Sequence, residues 1–231
     1  MKKLFVAFAL TSTLFSYENK IFAQNIGKPG PNITDVEGNL YKTVTIGTQT
    51  WMAENLKVSK YSDGTPIPNI TDNTQWEKNN IGVWAYYNND TTYNVKYGKL
   101  YTWNSISQVI NEGKNVCPTG WHVPTKAEWM VLIDYLGGAG IAGGEMKEVG
   151  TTNWKSKNKN ATNISLFSAL PGGYRSSSGD FSRIGNNGFW WSSTERDPSF
   201  AFFFLLYKAN DKVYSFDTSK KYGLSIRCLK D

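Results

Sequence analysis

Residues 117–129, CPTGWHVPTKAEW, bring a cysteine, the chain's only histidine, two prolines, two tryptophans and a glutamate into thirteen positions. Cysteine beside histidine can form a nucleophile and its base, which makes Cys117 and His122 the first candidates for covalent chemistry. That chemistry requires a free thiolate, and a zinc site would require more ligands than one histidine and two cysteines scattered along the chain provide. Glu128 has a simpler role than general acid. Thr125 followed by Glu128 is the S/T-x-x-E pattern that caps a helix N-terminus.

A second set of candidates lies further along. Trp190 and Trp191 are adjacent, so on a strand they face opposite sides, and one of them, Trp191, can serve as a ring platform for a sugar face or a peptide. Ser193, Thr194, Glu195 and Arg196 follow as hydrogen-bonding partners, and Tyr174 and Arg175 sit after a Gly-Gly turn. Arg175 and Arg227 can pair with internal carboxylates or meet an acidic ligand, internal pairing being the default. Asp and Asn recur in YSDGTP, NITDN, NNDTTYN and RDPSF, yet none has the ligand spacing of an EF-hand loop. The site residues therefore include no metal ligand and no cofactor, with room left for a structural calcium. No phosphate-cradling loop, nucleophile elbow or paired-carboxylate motif is present, so no residue is assigned as catalytic.

The compartment decides what the cysteines do. MKK, the apolar run Leu4–Phe15 and the small residue Ala23 form the three parts of a secretory signal peptide, expected at 1–23. The run is too short and too interrupted by Thr11, Ser12 and Thr13 to span a bilayer, and no later stretch does so. An exported chain with two cysteines is most simply bridged, Cys117 to Cys228, closing a loop of roughly a hundred residues worth up to about 4.7 kcal/mol. A paired sulfur has no thiolate to offer, and the nucleophile reading of Cys117 goes with it. The signal segment carries Lys2, Lys3, Lys20 and Glu18, a net +2 that leaves +4 of the chain's +6. Four charges without a Lys/Arg block do not make a nucleic-acid surface.

The positioning elements can be read from periodicity. Gln24–Thr34 is Gly/Pro/Asn-rich and reads as a linker ahead of a single domain over 35–231. Asp35–Leu56 alternates as a β-hairpin, and 61–99 reads as loops and short strands. Trp129, Leu132, Ile133 and Leu136 recur at helical spacing behind Thr125, and Gly137-Gly138 closes a helix over about 126–136. Trp103, Ile106, Val109 and Ile110 suggest a second helix over 103–111. The later bursts FSALPGGYR, GFWWSSTE, FAFFFLLYK, KVYSF and LSIRCLKD read as short antiparallel strands, giving an α+β class.

The ordered words Tyr101-Thr102-Trp103-Asn104, CPTGWHVPTKAEW, ALPGGYRSSSGDF, GFWWSSTE and KKYGLSIRCLKD resemble the successive blocks of the Fibrobacter succinogenes major paralogous domain, over roughly 35–231. The resemblance implies a fold similar to the C-type-lectin-like group, which includes the formylglycine-generating family: two helices, a loop-rich antiparallel sheet and one disulfide. It also implies bacterial secreted or surface proteins, in the periplasm, at the outer surface or outside the cell. Two departures limit what carries over. The formylglycine-generating relatives work with active-site cysteines, and here both cysteines are placed for the disulfide. Sugar-binding C-type lectins hold calcium with Glu-Pro-Asn or Gln-Pro-Asp and Trp-Asn-Asp; neither is present. The expected function is a non-enzymatic binding module that recognises a glycan or a surface protein through C-terminal loops. The alternatives are a structural or adhesive envelope component and an oxidase relative.

Overall fold

The computed structural model describes residues 26–231; the expected signal peptide and the first residues of the expected linker lie outside them. In chain order the elements are β1 (Gly27–Thr34), β2 (Leu40–Ile46), β3 (Gln49–Met52), α1 (Asn73–Lys78), β4 (Trp84–Ala85), α2 (Asn94–Tyr97), β5 (Leu100–Tyr101) and β6 (Trp121–His122). The second half continues with α3 (Lys126–Tyr135), α4 (Ala142–Met146), β7 (Tyr174–Arg175), β8 (Phe181–Ser182), β9 (Asn187–Glu195), β10 (Phe200–Tyr207), β11 (Val213–Ser219) and β12 (Leu229–Lys230). A five-stranded sheet runs β1-β2-β3-β12-β6 and a three-stranded sheet runs β11-β10-β9, with β4-β5 and β7-β8 as two small pairs. All these strand pairings are antiparallel. The class is α+β, with four short helices among the described residues rather than two.

The helix α3 forms where the pattern places it. Thr125 Oγ1 accepts from the Glu128 backbone N–H at 3.2 Å and Glu128 Oε2 accepts from the Thr125 N–H at 2.7 Å, which completes the capping box. Trp129, Leu132, Ile133 and Leu136 are buried, and Gly137 and Gly138 take left-handed φ values of 90° and 92° that end the helix.

Two expectations are corrected. Residues 27–34, read as linker, are the edge strand β1, whose Pro29 and Pro31 are tolerated because an edge strand leaves one side of its backbone unpaired. The expected helix over 103–111 is a single 3₁₀ turn, Trp103–Ser105, followed by turns. Local polar side chains compete with the helix there: Asn111 Nδ2 donates to Ser105 O at 3.0 Å and the Ser107 hydroxyl accepts from Ile110 N–H. Val109 is consequently 91 % exposed instead of packed.

The strand β9 divides the interior. Trp190, Trp129, Trp51, Trp154, Phe167 and Phe204 belong to one cluster; Trp191, Trp103, Trp121, Tyr101 and the disulfide belong to the other. Gly188 permits this, since a Cβ there would come within 2.1 Å of the Trp190 ring. The Cys117–Cys228 bridge, Cα–Cα 5.9 Å, sits just ahead of β6 and β12, which pair with each other.

A loop-rich chain must satisfy carbonyls that no ladder reaches, and bulky side chains do so here. All nine tryptophans are buried, none more than 7 % exposed. The indole N–H groups of Trp76, Trp84, Trp103, Trp154 and Trp191 donate to backbone oxygens of Ser176, Ile67, Ser192, Ala169 and Tyr101 at 2.8–3.0 Å. Buried cations do the same: Lys147 Nζ donates to Lys159 O and Asn210 O at 2.8 Å, with burial lowering its pKa to about 8.

Candidate functional site

Two of the sequence candidates are structural. Trp191 is fully buried, with its ring against Phe203 and its N–H on Tyr101 O, so it offers no platform to a ligand. Arg175 is also fully buried; its guanidinium donates to the carbonyls of Gly179, Ile70 and Thr71 and to Asn73 Oδ1, and lies 4.1 Å from the Trp76 ring. Arg227 repeats the device with Asn55 Oδ1 and the carbonyls of Phe167 and Ser168. The default of internal engagement holds for both arginines, but the partners are carbonyls and rings rather than carboxylates.

Ser193, Thr194 and Glu195 gather at the end of β9, against the start of α3. Ser193 N–H donates to Pro124 O at 2.9 Å, and Thr194 Oγ1 accepts from Lys126 N–H at 2.9 Å, which satisfies one of the helix's free donors. Glu195 pairs with Lys220 at 2.5 Å. Arg196 pairs with Asp217 at 2.6 Å and Asp197 at 2.9 Å and lies over Phe200.

Ser193 and Glu195, with Lys220, form one wall of a cleft of about 710 Å³ whose other wall is the 106–116 loop, carrying Val109 and Ile110; Thr194 and Arg196 do not line it. The 117–129 stretch supplies the rest: His122 and Thr125 line the same cleft. His122 Nδ1 is 2.6 Å from Asp231 Oδ1 and Nε2 is 3.0 Å from Glu128 Oε1. Burial works against the imidazolium, but the hydrogen bonds to Asp231 and Glu128 outweigh it and hold the pKa above its ordinary value. Burial likewise raises Glu128, and the Thr125 and His122 contacts outweigh it to give a net lowering. The polar groups of this wall are largely taken. The aromatic floor is covered too, because Lys220 Nζ sits 4.4 Å over the Trp103 ring.

The Trp191 side of the three-stranded sheet is interior at β9, where Phe189 and Phe203 are buried, but it opens toward β11. Phe203, Leu205 and Tyr207 of β10 alternate onto one side with Phe189 of β9 and with Tyr214 and Phe216 of β11, as the register Phe203↔Phe216 and Leu205↔Tyr214 requires. The Tyr214 and Phe216 rings lie within 9° of parallel at 5.9 Å, and Phe216 is 51 % exposed. Arg183 and Asn187 join these rings around a concavity of about 410 Å³. Tyr174, a sequence candidate, packs edge-on against Phe189 at 5.1 Å beside this face.

Both regions fall inside one matched segment: the model of the Fibrobacter succinogenes major domain matches residues 44–230. The chain belongs to that family. No curated protein and no solved structure matches the chain. The family segment begins within β2 and contains every residue of the cleft and of the aromatic face, so both regions are made by the family's fold rather than by an added piece.

The structure thus distributes the predicted site residues among three places. Trp191 and Arg175 are interior; Ser193 and Glu195 line the cleft, while Thr194 caps the start of α3 and Arg196 pairs with Asp197 and Asp217 just after β9; Tyr174 borders the aromatic face. Sequence reasoning missed Arg183, Asn187, Tyr214 and Phe216. A signal for two of them existed, since Tyr214-Ser215-Phe216 alternates and puts both rings on one side of a strand.

Proposed function

We propose that the protein is a secreted or cell-surface, non-catalytic binding module whose ligand is a glycan held on the aromatic concavity over β10 and β11. One observation carries the reading: Phe216, 51 % exposed, lies parallel to the half-buried Tyr214 ring, in a chain that buries all nine of its tryptophans. Parallel, partly exposed rings suit the apolar faces of pyranose sugars, and flanking amide, phenol and guanidinium groups suit their hydroxyls. Export is supported by the N-terminal pattern and by the disulfide. Membership of the C-type-lectin-like fold group belongs to the same proposal and rests on the block resemblance. The oxidase alternative loses its chemistry, since both cysteines are bridged and no free thiol exists.

A second reading, recognition of a surface protein, is favoured by the cleft, where Val109 and Ile110 are exposed beside an apolar floor. The two readings separate on a broad glycan array probed with the mature, oxidised protein, with calcium and with chelator. A signal that persists in chelator, disappears in Phe216→Ala and survives in His122→Ala supports the glycan reading. A blank array overturns it and leaves the cleft as the place to seek a protein partner.

A further inference from the structure

On the glycan-binding reading, and resting on it, we infer that the aromatic face takes an acidic sugar, with the carboxylate of a uronic acid on Arg183 and the sugar ring against Phe216 and Tyr214. The charge of the site points this way. Arg183 is the charged residue lining the concavity; it is exposed and belongs to none of the ion pairs among the described residues. The acids closest in sequence to the two rings are occupied elsewhere: Asp217 holds Arg196 and Asp211 accepts from Asn160. A guanidinium with a free fork is built for bidentate carboxylate recognition.

Two further groups keep unused hydrogen-bonding capacity. Asn187 is 9 % exposed, lines the concavity, and its Oδ1 is buried without a hydrogen-bond partner. Buried polar atoms in native proteins are almost always paired, so this carboxamide has unspent capacity for a sugar hydroxyl. The Tyr214 hydroxyl accepts from Asn210 Nδ2 at 3.0 Å, which leaves its own proton to donate outward.

The backbone holds the two polar groups as one unit. The carbonyl of Arg183 accepts from the N–H groups of Asn186 and Asn187 at 3.0 and 3.1 Å, which closes the turn between β8 and β9. Arg183 has φ 70°, a left-handed conformation that glycine adopts at no steric cost and arginine does not. A strained backbone carrying an exposed, unpaired cation beside a vacant carboxamide is an arrangement that stability alone does not favour.

Other occupants fit less well. A two-fold contact with a second copy would set Arg183 patches against each other, and a neutral sugar would leave the guanidinium without a partner.

The test compares polygalacturonate with the same polymer after carboxyl reduction, using affinity electrophoresis of the oxidised protein. Binding to the acid polymer should be at least about tenfold tighter than to the reduced one. Arg183→Gly, which relieves the backbone strain and so does not threaten the fold, should abolish that preference. Phe216→Ala should weaken both polymers, and the charge-matched Lys60→Gln, on an exposed lysine away from the face, should change neither. Equal affinity for the two polymers overturns the acidic assignment while the glycan reading stands. An effect of Lys60→Gln as large as that of Arg183→Gly also overturns it, since generic attraction to a polyanion would then be the cause. No retention by either polymer, together with a blank array, overturns both.

Discussion

The cleft and the aromatic face differ in what their polar groups are already doing. In the cleft, Glu195 and Lys220 satisfy each other and both nitrogens of His122 are engaged, and Thr194 beside it satisfies a helix donor. On the face, the Asn187 carboxamide and the Arg183 guanidinium are not so engaged. The larger concavity is therefore largely a seam holding α3, the end of β9 and the last strand together, and the smaller one has the spare bonding capacity that recognition needs. Size alone would have ranked them the other way.

The contrast can be broken most forcefully at β9. Trp191→Ala removes a fully buried indole and should cost about 3–5 kcal/mol in chemical denaturation, with any lost binding explained by unfolding. Phe216→Ala, on a half-exposed ring, should instead change stability by less than about 1 kcal/mol while removing glycan retention. If Trp191→Ala folds normally and loses binding specifically, the assignment of interior and surface is wrong.

The cleft wall gives the next largest effect. Glu195→Gln leaves the Lys220 ammonium, only 9 % exposed, without its carboxylate, and should destabilise by about 1 kcal/mol with no change in sugar affinity. Loss of sugar affinity in this variant would move the site to the cleft.

The smallest effect is diagnostic through its pH dependence. The His122 pKa is raised in the fold, so its contribution is complete below the unfolded value near 6.5 and is lost as pH rises through the folded value. Glu128 is shifted down, so its contribution is present above about 4.5 and is lost as pH falls through the folded value. His122→Gln should therefore cost more stability at pH 6 than at pH 8.5, read from denaturation midpoints. An equal cost at both would show that the imidazolium does not hold the seam.

Local signals were legible in the sequence and distant ones were not. The helix α3 and its capping box follow from spacing at Thr125, Glu128, Trp129 and Leu132, and the bridge from the chain's having two cysteines behind a signal-peptide-like N-terminus. The expected helix over 103–111 failed because Ser107 and Asn111 bond their own backbone, which periodicity does not register. Trp191 was taken for a platform because adjacency says only that two rings face opposite ways; that both sides of β9 are interior depends on loops more than sixty residues away in sequence. The same holds for Arg175, whose acceptors include Ile70 and Thr71. The aromatic face was half visible in the alternation Tyr214-Ser215-Phe216, but its polar rim arises from the turn at Arg183–Asn187.

The placement of β12 sets a timetable for the molecule. This strand follows every other element in the chain, yet it lies between β3 and β6 in the five-stranded sheet and begins one residue after Cys228. A nascent chain that has delivered everything before it still holds β3 and β6 apart, with Cys117 waiting for its partner. Folding to this state therefore follows delivery of residue 230, and the Cys117–Cys228 bridge locks it only when oxidant meets the finished strand.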